Sequence, residues 1–392
     1  MSKLLKSEFY RILKSPKNRI IIMILLIYPF LFTGWIEFKS NSYMEELSEF
    51  HMNQSHIANI RALSLIRATS ESEVIENRDQ LITFFQDVSR HELSAGKFLD
   101  SDNRNNYHFI NTSLNKVYNL YLNALENGLI TDQVIRELGY TKLELKANAF
   151  YTDYLQKNVE EIWLNEFEVN GINSIKLFFN GQNLLILVIL FFLLLSDIYI
   201  KDIHEGSYKQ LFTHAIDRGK LLTAKLIVVL SLYLGISILI IFLVYFISST
   251  LGGTGHFDYP LISNANNSSS ENSFQIISIM NYLALSVVQF TAVSIALLFL
   301  SVFLSVKYNS FNIPMGIVFS LLFITFTINT ILPDNSLLRD IYPFSYLYSD
   351  NVLNVNTSSS LVLCLALNGI IILGSLVASI NCLSKKDLHG IA

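Results

Sequence analysis

Residues Leu221–Ile247 read LLTAKLIVVLSLYLGISILIIFLVYFI, with Lys225 as their one charged side chain. A helix crossing a bilayer needs roughly 20 apolar residues, because each adds 1.5 Å and the hydrocarbon layer is about 30 Å thick. Five further stretches meet that requirement, at 19–36, 177–200, 276–306, 311–332 and 361–383. One such run would equally suit the buried core helix of a soluble protein. Six in a chain of 392 residues that is 51% hydrophobic and only 15% charged do not. The expected fold class is therefore an all-α integral membrane protein with six transmembrane helices.

The polar segments sort by charge. The N-terminal segment 1–18 and its junction carry Lys3, Lys6, Arg11, Lys14, Lys17 and Arg19 against Glu8. The loop 201–220 carries Lys201, Lys209, Arg218 and Lys220, the link before 311 carries Lys307, and the tail 384–392 carries Lys385 and Lys386. The loop 248–275 has no lysine or arginine, and 333–360 has only Arg339. Basic loops stay on the cytoplasmic side, so six spans with both termini cytoplasmic satisfy the rule throughout. That predicts a multi-pass protein of the cell membrane. The first run resembles a signal peptide in its basic flank, but Phe30–Trp35 stays bulky and no small-residue cleavage site follows. It is expected to remain as span 1.

Segment 37–176 then lies outside the cell. It holds 13 basic and 21 acidic residues, a net charge of −8. Leu114, Val117, Leu120, Tyr121 and Leu125 recur at helical spacing, and Leu143, Leu145, Tyr151, Tyr154 and Leu155 do so less cleanly. Turns are expected at Ser101-Asp102-Asn103 and Asn127-Gly128. A mainly helical extracellular domain follows. Asn264–Ser273 (NANNSSSENS) is of low complexity and is expected to be a flexible outer loop.

In segment 1–18, Ser2 suits a helix cap, and Leu5, Phe9, Ile12 and Leu13 fall on one face with lysines and Arg11 around the other. This predicts an amphipathic helix at the inner membrane interface, ended by Ser15-Pro16.

Chemistry is scarce. The spans carry almost no ionisable residue; Asp197 sits at the end of span 2, and Asn281, Gln289, Asn329 and Asn368 are neutral. An ion-driven carrier needs a carboxylate at mid-depth, so the neutral groups are expected to bond helix to helix. No constellation for an intramembrane protease exists, and His51 and His56 are five apart, on different faces of a helix. Cys364 and Cys382 lie too far apart on one helix to pair. No G-x-x-x-x-G-K-[ST] string occurs, so no phosphate-cradling loop is present. Nothing in the charge distribution points to nucleic acid. Uphill transport would need energy from another chain, which directs attention to the loop 201–220. Its Glu205–Phe212 stretch is a short helix candidate tied to two spans.

The loop carries Glu205-Gly206-Ser207, Leu211-Phe212, Ile216-Asp217-Arg218 and Leu221-Leu222-x-x-Lys225. This pattern resembles the coupling loop of ABC-2 type exporter permeases. The N-terminal helix, the six spans and Tyr342-Pro343-Phe344-Ser345-Tyr346 before the last span are similar to that family as well. Ala215-Ile216 departs from its usual proline turn, and segment 37–176 resembles only the class with a large external insertion after span 1. The resemblance implies a permease subunit of an ATP-binding-cassette exporter, not itself an enzyme. ATP and Mg would be bound by a cytoplasmic ATPase dimer, and a second permease subunit would complete the assembly. Asp202, Glu205, Gly206, Ser207, Tyr208, Leu211 and Arg218 would form the ATPase contact. The cargo suited to an apolar bundle with neutral polar groups is an amphipathic or hydrophobic peptide, lipid or drug. The acidic external domain would guide a cationic peptide. Two alternatives stay open: a sensor or scaffold with a ligand-binding external domain, and a channel or secondary carrier.

Overall fold

A computed structural model describes residues 2–67, 77–100, 107–158, 166–195, 218–265, 273–308, 310, 312–332, 336–348 and 357–385. The chain forms two compact units. One comprises Met1–Gly34, Val169–Ser269 and Ile277–Ala392; the other comprises Trp35–Glu168 and Ser270–Ile276.

The first unit is the apolar one. It begins with α1 (Ser2–Lys14) and the start of α2 (Pro16–Arg67), continues with α7 (Gly171–Phe178), α8 (Gly181–Leu195) and α9 (Arg218–Gly252), and ends with α10 (Ile279–Tyr308), α11 (Asn312–Ile331), α12 (Leu337–Ile341), a 3-10 turn (Ser345–Leu347) and α13 (Thr357–Lys385). Among the described residues, five helices are long and apolar enough to cross a membrane: α2, α9, α10, α11 and α13. The chain is thus an all-α, multi-pass membrane protein. The α10 and α13 helices pack on each other, and both carry buried serines, Ser294, Ser301 and Ser305 on α10 and Ser375 and Ser379 on α13.

Several expected boundaries move. The chain breaks at Ser15-Pro16 as expected, but Pro16–Asn18 belong to α2, because proline is well tolerated in a first helical turn. Helix α2 does not stop at Ile36. It runs on to Arg67, since no proline or glycine follows Gly34 to end it. Span 2 is not one straight helix from 177. Leu177 and Phe178 end α7, and α8 follows at a 70° bend. The Asn183 side chain donates to Leu177 O (3.1 Å), as does the Asn180 amide (3.1 Å), so the end of α7 is capped instead of continued. Helices α9 and α13 extend past the expected limits of spans 3 and 6 at both ends. Span 4 starts at Ile279, because Ser273–Ser278 is strand β2; Pro260–Ala265 is strand β1. The 248–275 loop is therefore not all irregular, and the all-α description admits two short strands. Of the low-complexity stretch, 266–272 lie outside the described residues. Segment 333–360 contains α12, the 3-10 turn and the start of α13.

Glycines fix the approach to α7. Gly171 N donates to Gly253 O (3.0 Å), Ile172 N to Thr254 O (3.1 Å), and the Asn170 side chain caps α7 by accepting from Asn173 N (2.8 Å). A Cβ on Gly252 would fall on the backbone carbonyl of Val169. Backbone cannot swing aside as a side-chain tip can, so Gly252→Ala is expected to destabilise this unit by about 3 kcal/mol or more. The check is detergent-extracted yield and monodispersity, with Gly316→Ala, where no atom lies within 4 Å, as the neutral comparison.

The second unit is helical, as expected for 37–176. The 35–67 part of α2 packs with α3 (Arg78–Asp100), α4 (Tyr107–Glu126), α5 (Asp132–Glu137) and α6 (Lys142–Asn158). Leu114, Val117 and Tyr121 are buried in its core, with Leu120 and Leu125 packed against it. Leu145, Tyr151 and Leu155 are also buried, whereas Leu143 is exposed. Asn127-Gly128 forms the expected turn, with Gly128 at φ +67° and both Leu129 N and Ile130 N donating to Ala124 O. Ser101-Asp102-Asn103 lies outside the described residues. Helix α6 opens with a capping box: Thr141 N donates to Glu144 Oε2 (2.9 Å) and Glu144 N to Thr141 Oγ1 (3.2 Å). Close crossing of α2 and α3 rests on small residues. The Ser48 hydroxyl donates to Gly96 O (3.0 Å), and Ser55 to Ser89 O (2.8 Å).

Candidate functional site

Asp202, Glu205, Gly206, Ser207, Tyr208 and Leu211 lie outside the described residues, as does the Glu205–Phe212 helix candidate. Arg218 is the first residue of α9. The structure therefore defines the frame that holds the loop: the end of α8 at Leu195 and the start of α9 at Arg218.

That frame is built around the turn between α1 and α2. A helix leaves its last carbonyls without intrahelical donors. Three consecutive side chains of α2 supply them. Asn18 Nδ2 donates to Ile12 O (3.1 Å) and Arg19 Nε to Leu13 O (3.1 Å), which closes the end of α1. Lys17 Nζ donates to Leu193 O (2.9 Å), in the last described turn of α8. A cation at a helix C-terminus also opposes the negative end of the helix dipole. Helix α1 in turn packs on α9, burying Ile12 and Glu8, and the Glu8 carboxylate accepts from Arg11 Nη2 at 2.8 Å. Phe9 and Leu13 of the expected apolar face stay exposed, where a membrane interface would cover them. Two turns into α9, Lys225 is almost fully buried (3% exposed). Both flanks of the loop are thus tied to the N-terminal helix, one through Lys17 and one through α1 on α9.

Lys17, Asn18, Arg19 and Lys225 were not among the expected site residues. The signal for them was Lys17-Asn18-Arg19 directly after Ser15-Pro16. Net charge accounts for the two cations there, but not for an asparagine between them.

The Tyr342–Tyr346 segment forms a second knot. The Ser345 hydroxyl lies within hydrogen-bonding distance of both Arg339 O (2.5 Å) and Tyr342 O (2.6 Å). The Tyr342 hydroxyl donates to Leu321 O of α11 (2.8 Å), and Tyr346 to Asp340 O (2.8 Å). Asn368 Nδ2 of α13 donates to Pro343 O (3.1 Å), and buried Arg339 donates through Nε to Asn329 Oδ1 of α11 (3.0 Å). The Tyr348 ring fills the space beside Gly181, where any Cβ would collide with it. Burial, followed by the charge of Asp340, pushes the Tyr346 hydroxyl above the ordinary phenol range, so it stays a donor. Burial also raises the Asp340 carboxyl, against the opposing pull of Arg339. Asn329 and Asn368 thus make the expected inter-element bonds. Gln289 is buried with Oε1 unpartnered, and Asn281 is exposed at the start of α10.

No group of three or more metal-binding side chains occurs among the described residues. His51 is buried against Glu92, whereas His56 is exposed. No family model, curated protein or solved structure matches this chain.

Proposed function

We propose that this chain is the membrane subunit of an ATP-driven exporter, working with a cytoplasmic ATP-binding-cassette ATPase dimer and a second permease subunit. It crosses the cell membrane six times with α7 and α8 forming one bent span. Both termini are cytoplasmic, and the helical unit Trp35–Glu168 lies outside. The loop 201–220 docks on the ATPase through Asp202, Glu205, Gly206, Ser207, Tyr208, Leu211 and Arg218. Its cargo is an amphipathic or hydrophobic peptide, lipid or drug.

The observation that carries this reading is the tie between the loop's two flanks and the N-terminal helix. A docked ATPase moves only what its contact is fastened to. Here a displacement of the loop would reach α8 and α9 directly along the chain, and would pass from α8 to the start of α2 through the Lys17–Leu193 bond. The absence of a phosphate-cradling motif from the sequence agrees with an energy source on another chain. The test is co-purification in mild detergent from the native cell. A tagged chain is expected to bring down a nucleotide-binding subunit carrying a Walker motif. Recovery of the chain intact and alone, after crosslinking in the membrane, would refute the proposal.

A further inference from the structure

We infer that the helical unit carries a docking groove for a cationic, amphipathic peptide segment between α3 and α4. The groove is shallow and open to solvent, with about 460 Å³ of space along it, a shape that suits an extended segment better than a small enclosed ligand. Its floor is apolar: Phe84, 7% exposed and set edge-on to Tyr121, together with Leu120 and Leu129. Its rim is acidic. Asp79 and Asp87 stand two turns apart on α3 with exposed Thr83 between them, and Asn123 of α4 and Asn127 of the following turn complete the lining. Among the described residues, no lysine, arginine or histidine lines it.

The nearest cations do not neutralise the rim. Arg78 is held away, donating to Leu65 O (2.9 Å) and Ile66 O (3.1 Å) at the end of α2. Arg90 stands 3.8 Å from Asp87 with both side chains exposed, a pairing worth little in water and open to exchange with an incoming cation. The last turn of α4, which ends at Glu126, lies at the groove and adds the negative end of its dipole. An apolar floor under two carboxylates, Asp87 being only in a loose exposed pair with Arg90, suits alternating apolar and basic side chains. The net charge of −8 on segment 37–176 would steer such a segment inward. An anionic ligand is repelled, and a purely apolar one leaves the carboxylates unused. The site is read from this unit alone and does not depend on the exporter assignment.

The test uses the full chain in nanodiscs of phosphatidylcholine, whose neutral surface does not itself hold cations. The probe is a short fluorescein-labelled peptide of alternating lysine and leucine, followed by anisotropy. Saturable binding is expected, weakening as salt rises from roughly 0.05 to 0.5 M. The Asp79→Asn/Asp87→Asn variant is expected to bind at least tenfold more weakly, and the glutamate–leucine analogue weaker still. Thr83→Lys, an exposed helical change, should cause a comparable loss by placing a cation on the rim. Unchanged pulse proteolysis along a temperature ramp would show each variant folded. Absence of saturable binding, equal affinity in the double variant, or equal binding of the glutamate peptide would each overturn the proposal. None of these readouts involves an ATPase, so failure here leaves the exporter reading standing, and the reverse holds.

Discussion

Glu92→Ala is expected to lower the stability of the helical unit by on the order of 3–5 kcal/mol, a large share of the 5–15 kcal/mol that holds a typical domain folded. Glu92 is fully buried (0% exposed), and its carboxylate pairs with His51 Nδ1 of α2 at 2.5 Å through one oxygen. Through the other it accepts the Tyr140 hydroxyl at 3.1 Å. Burial first, then the Glu92 charge, pushes the Tyr140 phenol well above its ordinary range, so it remains a donor. Alanine would leave both donors unpaired inside the core and add a cavity. Replacing the whole network together, as His51→Phe/Glu92→Leu/Tyr140→Phe, should cost far less than Glu92→Ala, because none of its polar groups is then stranded. Pulse proteolysis of the full chain along a temperature ramp, read on fragments from Arg78–Asp100 and Lys142–Asn158, reports on this unit selectively. A melting midpoint within about two degrees of wild type for Glu92→Ala would show that the network does not support the unit.

How much of this was open to the sequence differs between the two units. Apolar length announced the membrane helices, because a span is a local property: a window either is apolar enough or is not. Leu114, Val117 and Tyr121 showed the core face of α4 for a similar reason, since one helix turn repeats within a few residues. The His51–Glu92–Tyr140 network left no such trace. Its members are 41 and 48 residues apart, and spacing within one helix says nothing about what crosses it. His51 was weighed against His56, its neighbour in sequence, when its partner lay on α3. Breaks escaped for a related reason. The 70° bend before α8 depends on Asn180, Asn183 and the Tyr348 ring against Gly181, and a hydropathy window averages these away.

The loop's frame shows the same limit. Lys17 and Arg19 were counted for topology, and their charge alone carried that argument. Their second use, as donors to the carbonyls of Leu193 and Leu13, needs a helix 176 residues away in one case. The Tyr342–Tyr346 motif was legible as a motif, but not as a knot. Nothing in five residues foretells that Leu321 and Asn368 receive its hydroxyl and meet its carbonyl.

If the loop couples ATP hydrolysis to motion, Gly206→Pro and Lys17→Met should fail differently. Proline at 206 removes an amide donor and drives Glu205 out of helical geometry, at a cost of about 3 kcal/mol to any helix spanning them. The ATPase subunit should then no longer co-purify, and stimulated ATPase activity should fall at least tenfold. Insertion should be unchanged, as read by protease protection of the helical unit. Lys17→Met keeps the apolar stem but deletes the Nζ bond to Leu193 O. A charge-assisted bond of this kind contributes roughly 1.5–3 kcal/mol. Its loss lies behind the contact surface, so the ATPase should still dock and still hydrolyse ATP, while cargo moved per ATP falls severalfold. Lysine to arginine at the same position should recover most of it, since the guanidinium can reach the same carbonyl. Docking lost in both variants would place Lys17 in the contact itself. Coupled activity equal to wild type in Gly206→Pro would remove the loop from the mechanism.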